Sequence, residues 1–372
     1  MRCVVSPSGF RSRRGSVIVV VLVTLIFAAL LLTRIIESGS PDLLIAMRQA
    51  DRERLRADAY GALETTLAVL MDFRVVDGGL YSPAQGWADP LDYAGYVPRE
   101  GVTVAVAFED ESAKLSLPAL TPDGLELLLV QLGLQDAEAA RVADAMFVWM
   151  HQGHAAVDSS AGASAYERGD PPATPPLRPL RSFGELASIL VARDHFFDAD
   201  GRPTPLFDAF QRAVSLYRFN GTNVNSAGEA ALRASGWDDR QSQTLRQHLD
   251  VPTRTDSNRP YLRSVQEARQ VAGNPAMQNL GVQVQVLRIH VTARQGAAQL
   301  TLSALVTWPG VASLPGAAPG NPQRPNRPNG GQAGVPAAGE SSANSLRYPY
   351  TVLEVIETTL PAPLSSTDAP VA

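Results

Sequence analysis

One cysteine, Cys3, and one lysine, Lys114, are all that the 372 residues hold of those two types. A lone thiol excludes an intrachain disulfide framework and any multi-cysteine metal site, so stability must come from packing. The remaining basic residues are 31 arginines spread along the chain, and the formal net charge is only −5. No dense basic cluster is available to hold a phosphate backbone, and nucleic acid is not an expected partner. The chain also lacks a Gly-x-Ser-x-Gly elbow, a phosphate-binding loop and a dinucleotide fingerprint, so no enzyme is expected. With 45% hydrophobic residues, there is enough apolar chain for two packed domains.

What is present in one block is apolar sequence. Val17 to Leu32 carries no charge and a single hydroxyl, Thr24. As a helix, residues 16–33 reach about 27 Å, close to the thickness of a bilayer's hydrocarbon core. Arg11, Arg13 and Arg14 precede the run, and no acid occurs before Glu37. The positive-inside rule then puts the N-terminus in the cytoplasm. In a Gram-negative host the expected location is the inner membrane, single-pass, with the C-terminal domain periplasmic. The apolar core continues into Thr33-Arg34-Ile35-Ile36-Glu37, with Pro41 as the first break, where a secretory signal would offer small residues for cleavage. The segment is therefore expected to persist, and an ordinary signal anchor is one reading of it.

Helical spacing resumes over residues 42–73. Leu43, Leu44, Met47, Leu55, Ala59, Leu63, Leu67 and Leu70 recur every three or four positions, opposite charges from Asp51 to Asp58. One long helix bent at Pro41 is expected. A turn-rich stretch from Asp77 to Pro98 leads to an alternating strand at 102–108. Two helical pairs follow, at 122–149 with a break at Gly133 and at 223–249 with a Gly236-Trp237 turn; Asn225 or Ser226 is the expected cap of the second. Residues 281–293 and 298–308 alternate as an antiparallel hairpin, and 350–358 reads as a third strand pairing with it. Between them, 309–344 is rich in Pro, Gly, Asn and Ala and is expected to be a disordered loop.

Arg13-Arg14-Gly15-Ser16 followed by pure apolar sequence resembles the prepilin leader of type IV pilins and type II secretion pseudopilins. That resemblance implies cleavage by a prepilin peptidase between Gly15 and Ser16, with N-methylation of Ser16. The fifth mature residue is then Val20, where most of the family carries Glu. One class lacking that acid is the K-type minor pseudopilin, the general secretion pathway protein K (GspK) family, and this chain resembles it further along. Glu109-Asp110-Glu111-Ser112-Ala113-Lys114-Leu115-Ser116-Leu117 is similar to its acidic turn and extended element. Asn223-Val224-Asn225-Ser226-Ala227 is similar to its "V-N-V-N-T-A" signature, and Leu177 to Leu186 to its "P-L-D-S-x-E-E-L" phrase, which Tyr261 to Ala268 repeats in short form.

The resemblance implies an α+β fold: a pilin-like long N-terminal helix packed on an antiparallel sheet, with a large inserted all-α domain of two sterile-alpha-motif-like (SAM-like) units. The expected boundaries are a leader at 1–15 and a transmembrane helix at 16–33. The pilin-like helix and first strands follow at 34–118, the inserted helical domain at 119–275, and C-terminal strands at 276–372. It further implies a minor pseudopilin at the tip of the type II secretion pseudopilus that initiates assembly and supports export of folded proteins. The partners implied are I- and J-type minor pseudopilins, the major pseudopilin and the prepilin peptidase. The family also implies calcium, and here the chain departs from it: the expected carboxylates are replaced by His151, Gly153 and Ser164. Asp158, Glu167 and Asp170 are nearby oxygens off the motif, so no cofactor is expected, with calcium only weakly supported.

Other signals receive plain readings. The triplet Glu109-Asp110-Glu111 reads as a solvated turn, since carboxylates adjacent in sequence do not face one target. His151 and His154 invite zinc but lack a third ligand at suitable spacing, and read as polar residues of an exposed loop. Asp198-Ala199-Asp200-Gly201 starts like a calcium loop without its closing Glu, and reads as a turn. Three alternatives stay open: a membrane-anchored helix-hairpin-helix nucleic-acid binder built on residues 223–249, a tip subunit of a related type IV pilus, and a periplasmic scaffold outside secretion.

Overall fold

The computed structural model describes residues 14–158, 160, 162–169, 172–250, 259–274, 279–308 and 350–360. The loop expected at 309–344 lies outside the described residues, as does the leader apart from the backbone of Arg14 and Gly15. The chain divides after Ala57 into two compact units.

The first unit consists of helix α1 (Arg14–Asp77) as far as Ala57. Its window Val17–Arg34 has mean hydropathy 2.8 with none of it buried, long and apolar enough to cross a membrane. The two hydroxyls in the window are spent inside the helix. Thr24 Oγ1 donates to the Val21 carbonyl at 2.8 Å and Thr33 Oγ1 to that of Ala29 at 3.0 Å, so neither needs water. Beyond it the exposed face carries the ion pairs Asp51–Arg54 and Glu53–Arg56, each three residues apart. The helix runs through Pro41 as one element.

The second unit takes up α1 from Asp58. Ala59, Ala62, Leu63, Thr66, Leu67 and Leu70 form a buried stripe at helical spacing. Tyr60 donates its hydroxyl to Glu357 at 2.7 Å and the Arg74 guanidinium lies 5.6 Å from the Trp308 ring centre, which lays this part of the helix on the sheet. After a short helix α2 (Pro90–Tyr93), the sheet is formed by β1 (Val102–Asp110) and three strands from the far end of the chain.

Before those strands comes the helical insertion. It runs through β2 (Leu115–Ser116), α3 (Pro122–Gln131), α4 (Asp136–Met150), α5 (Ala163–Glu167), α6 (Arg193–Phe196) and α7 (Pro205–Ala213). It continues with β3 (Val214–Ser215), β4 (Thr222–Asn223), α8 (Glu229–Ala234), α9 (Asp239–Leu249) and α10 (Val265–Ala272). The chain then returns through β5 (Leu280–Gly281), β6 (Val286–Gln295), β7 (Ala298–Thr307) and β8 (Thr351–Leu360). The sheet order is β1-β6-β7-β8, antiparallel throughout, with Val102 opposite Gln295 and Asp110 opposite Leu287. The insertion thus leaves and re-enters between two neighbouring strands, and the fold is α+β as expected.

The two helical hairpins α3–α4 and α8–α9 are copies of one turn. Leu134 N–H donates to the Leu129 carbonyl, and Trp237 N–H to that of Leu232; Gly133 and Gly236 close the same loops by bonding Val130 and Arg233. These bonds satisfy the carbonyls that a helix end leaves free. Leu125, Leu128, Leu129, Val142, Met146, Phe196 and Phe210 form the core around the first hairpin. Val224, Leu232, Trp237, Leu245, Tyr261 and Leu262 form that around the second.

One strand boundary differs from expectation. The alternation seen from Gly281 does not make one strand: β5 ends at Gly281 and β6 begins at Val286. In between, Val284 N–H bonds the Leu80 carbonyl at 2.7 Å and Gln285 N–H bonds Ser112 Oγ at 2.9 Å. Val282 and Val284 are still buried, so the period-two pattern persists while the hydrogen-bonding partner changes.

Candidate functional site

In the first unit, the backbone of Gly15 and Ser16 lies at the start of α1, and Val20 is 59% exposed on a surface of valine, leucine and isoleucine. No carboxylate lies in the window Val17–Arg34.

In the second unit, the expected motifs converge where the insertion joins the sheet. The acidic triplet is not a solvated turn. Glu109 lies opposite Arg288 in the β1–β6 register, and Glu111 is 5% exposed. Lys114 Nζ donates to Glu109 at 2.6 Å and to Glu111 at 3.2 Å; Arg288 then bridges Glu111 at 3.4 Å and Glu354 at 3.1 Å. Burial acts to raise the Glu109 pKa, but the Lys114 hydrogen bond and the charges of Lys114, Arg288 and His290 together bring it below its ordinary value. The chain's single lysine sits where one compact ammonium reaches two carboxylates. Sequence adjacency hid this arrangement because Arg288 and His290 come from β6, far along the chain, and only Lys114 is local.

Asp110 points the other way. One carboxyl oxygen accepts from the Ser112 amide at 2.9 Å and the Ser112 hydroxyl, and the other from Asn223 Nδ2 at 2.7 Å. The residue as a whole is half-buried, yet its carboxyl group is enclosed, and desolvation pushes its pKa up to about 6 against those hydrogen bonds. Between about pH 4 and pH 6 the folded state therefore holds a proton that the unfolded chain has released. Stability is expected to fall as pH rises from about 4 to about 6, by roughly 3 kcal/mol, and to stay level above. Urea unfolding across that range, compared with Asp110→Asn, checks it: the variant should lose this slope.

Asn223 and Asn225 are braces. Asn223 Nδ2 also donates to the Tyr81 carbonyl at 3.0 Å, and its oxygen accepts from the Asn225 amide at 3.2 Å. Asn225 accepts from Leu262 N–H at 2.7 Å and donates to the Leu262 and Val282 carbonyls at 3.0 and 2.8 Å. The capping role expected of Asn225 or Ser226 is thereby corrected. Helix α8 starts at Glu229 behind Gly228, with no side-chain cap, because Asn225 is already committed to two other segments.

At the end of α4, His151 stacks on Phe147 at 4.7 Å between ring centres, and desolvation, with the nearby His154 and Arg218 charges, lowers its pKa. His154 bonds Asp144 at 2.8 Å. Both histidines are half-buried, so the exposed-loop reading is corrected: the Phe147 ring and the Asp144 carboxylate draw them in. Asp144 belongs to no sequence motif; its only signal is that a carboxylate within the wholly buried run Val142–Met150 demands a partner. Gly153 brings no side-chain oxygen, and Ser164 lies in α5. Among the described residues, no group of three or more His, Cys, Asp and Glu is arranged to hold a metal ion. Asp198 accepts from the Asp200 and Arg202 amides at 2.9 and 2.8 Å, the plain turn expected of it.

No family model and no curated protein sequence matches the chain. Among solved structures, it is similar to a chain of the GspK-GspI-GspJ complex from the type 2 secretion system of enterotoxigenic Escherichia coli, at 15% identity and TM-score 0.48, covering 72% of this chain and 96% of that one.

Proposed function

We propose that the chain is a minor pseudopilin of type II secretion, anchored in the inner membrane by one span, that sits at the tip of the pseudopilus, initiates its assembly and supports export of folded proteins. The observation that carries this reading is the junction Arg13-Arg14-Gly15-Ser16 opening into an apolar, exposed helical span. The ordered family phrases support it, as does a helical insertion placed between adjacent strands of an antiparallel sheet. The prepilin peptidase removes residues 1–15 and methylates Ser16, leaving Val20 at the fifth mature position. A carboxylate in lipid requires a partner. A subunit with Val20 has none to offer to a terminus above it, which suits the last subunit of a filament. I- and J-type minor pseudopilins and the major pseudopilin are its partners in this reading, the soluble part is periplasmic, and the role is structural rather than enzymatic.

The nucleic-acid alternative meets an obstacle in the α8–α9 hairpin. Arg233 is held by Glu229 at 2.7 Å and Asp239 at 2.6 Å, and Arg246 by Glu229 at 3.0 Å, so acids already neutralise two of the hairpin's cations. The decisive experiment is the intact mass of the protein from cells expressing the prepilin peptidase. Loss of residues 1–15 with one added methyl group is expected; an uncut N-terminus rejects the assignment. Co-purification with I- and J-type subunits then tests the tip position.

A further inference from the structure

We propose that the loop after α4 is closed by a hydrogen-bonded brace centred on Asp144, which fills the oxygen positions a calcium ion would use and makes the order of the loop independent of metal. Every residue from Val142 to Met150 is buried, and Asp144 is 9% exposed among them. A carboxylate there has to be satisfied locally. Its Oδ1 lies 2.8 Å from His154 Nε2, while Oδ2 accepts from the amides of Val157 at 2.9 Å and Asp158 at 3.2 Å. The brace has a second tie one turn earlier on the same helix face: Asp158 Oδ2 accepts from Arg141 Nε at 2.9 Å, and its Oδ1 from the Ser160 amide at 2.9 Å. The Ser160 hydrogen bonds foremost, then that from Arg141, hold the Asp158 pKa at about 2.

Calcium takes six to eight oxygens whose lone pairs point at the ion. In this loop, the Asp144 and Asp158 carboxylates spend their lone pairs on backbone N–H donors, an imidazole nitrogen and a guanidinium. His151 and His154 contribute nitrogen rather than hard oxygen, and Glu167 is exposed on α5. Asp170 lies outside the described residues; those described do not fit the ion, and they do its structural task themselves. This holds whether or not the chain is a pseudopilin, so its failure leaves the processing test untouched.

The test is amide hydrogen exchange at Val157 and Asp158 in the full-length, detergent-solubilised protein, with millimolar calcium or with EGTA. Wild-type rates are expected to be the same in both. Asp144→Ala is expected to speed both amides by about tenfold or more, the loss of a charge-assisted acceptor. Asp144→Asn, which keeps the volume and one acceptor oxygen, gives the same readout at smaller amplitude and serves if the alanine variant does not fold. Wild-type amides that exchange faster in EGTA overturn the proposal, as do variant amides that remain as slow as wild type. Saturable calcium binding by the wild type that Asp144→Asn abolishes does so too.

Discussion

Asn223→Leu is expected to lower the unfolding free energy by about 3–5 kcal/mol. The side chain is fully buried and its amide has no spare capacity: Nδ2 serves the Tyr81 carbonyl and the Asp110 carboxylate, and Oδ1 serves the Asn225 amide. Leucine keeps the branched shape, but its methyl groups are larger than the amide's O and N and stand where partners lie 2.7–3.2 Å away, so some overpacking is included in this figure. What is lost is the pairing of three groups, one of them a carboxylate that burial already penalises. Asn223→Asp discriminates this account from a volume effect. It sets a second carboxylate about 2.7 Å from Asp110, and two carboxylates at that range cannot both ionise. The Asp variant should therefore lose least near pH 4, where one shared proton bridges the two carboxyls and only the Tyr81 carbonyl is left without its donor, and fall away as that proton is lost. Urea unfolding of the detergent-solubilised chain, read by fluorescence of Trp87, Trp149, Trp237 and Trp308, measures both. A leucine variant within about 1 kcal/mol of wild type, or an aspartate variant whose deficit does not change with pH, would count against the brace.

The contrast between what could be read in the sequence and what could not follows from the range of the interactions involved. Local periodicity carried the helices at 122–149 and the hairpin β6–β7, because side-chain spacing and turn residues are properties of neighbouring positions. The repeat of Leu129-to-Leu134 in Leu232-to-Trp237 was likewise visible as two helical pairs with a glycine turn. The joint was not. Asp110, Ser112, Asn223 and Gln285 are each unremarkable polar residues until the topology stacks them, and their partners lie far apart in the chain. The phrase containing Asn223 and Asn225 was noticed for its resemblance to a family signature, while its chemistry was assigned to the nearest helix. Long-range satisfaction of buried backbone groups outweighed local capping, since an Asn amide has both the donors and the acceptor that Leu262 and Val282 require. In the first unit, the apolar span is legible from composition alone, and the structure adds only that its hydroxyls are spent within the helix.

Gly221→Ala is expected to cost about 3 kcal/mol or more, from two separable causes. The residue has φ of +76°, and a Cβ there would stand 2.6 Å from the Leu280 carbonyl oxygen and 2.7 Å from its carbon. These are backbone atoms of the β4–β5 pair, so relief requires the strands to part. Parting them breaks the bonds from Thr222 N–H to the Asn279 carbonyl and from Val224 N–H to that of Gly281, at 2.9 and 3.0 Å. Asn223 sits between those two amides, and the joint that it holds would open with them. Gly273 supplies the control: its φ is +65°, yet nothing lies within 4 Å of a built Cβ. Gly273→Ala should therefore show the backbone cost alone, about 1 kcal/mol. Gly221→Asn, whose side chain tolerates the left-handed region, should recover little, because the close approach remains. Unfolding midpoints for the three variants, with exchange rates at the Thr222 and Val224 amides, decide the matter. Equal losses for Gly221→Ala and Gly273→Ala would mean that the crossing of Gly221 over Leu280 is not what holds the insertion to the sheet.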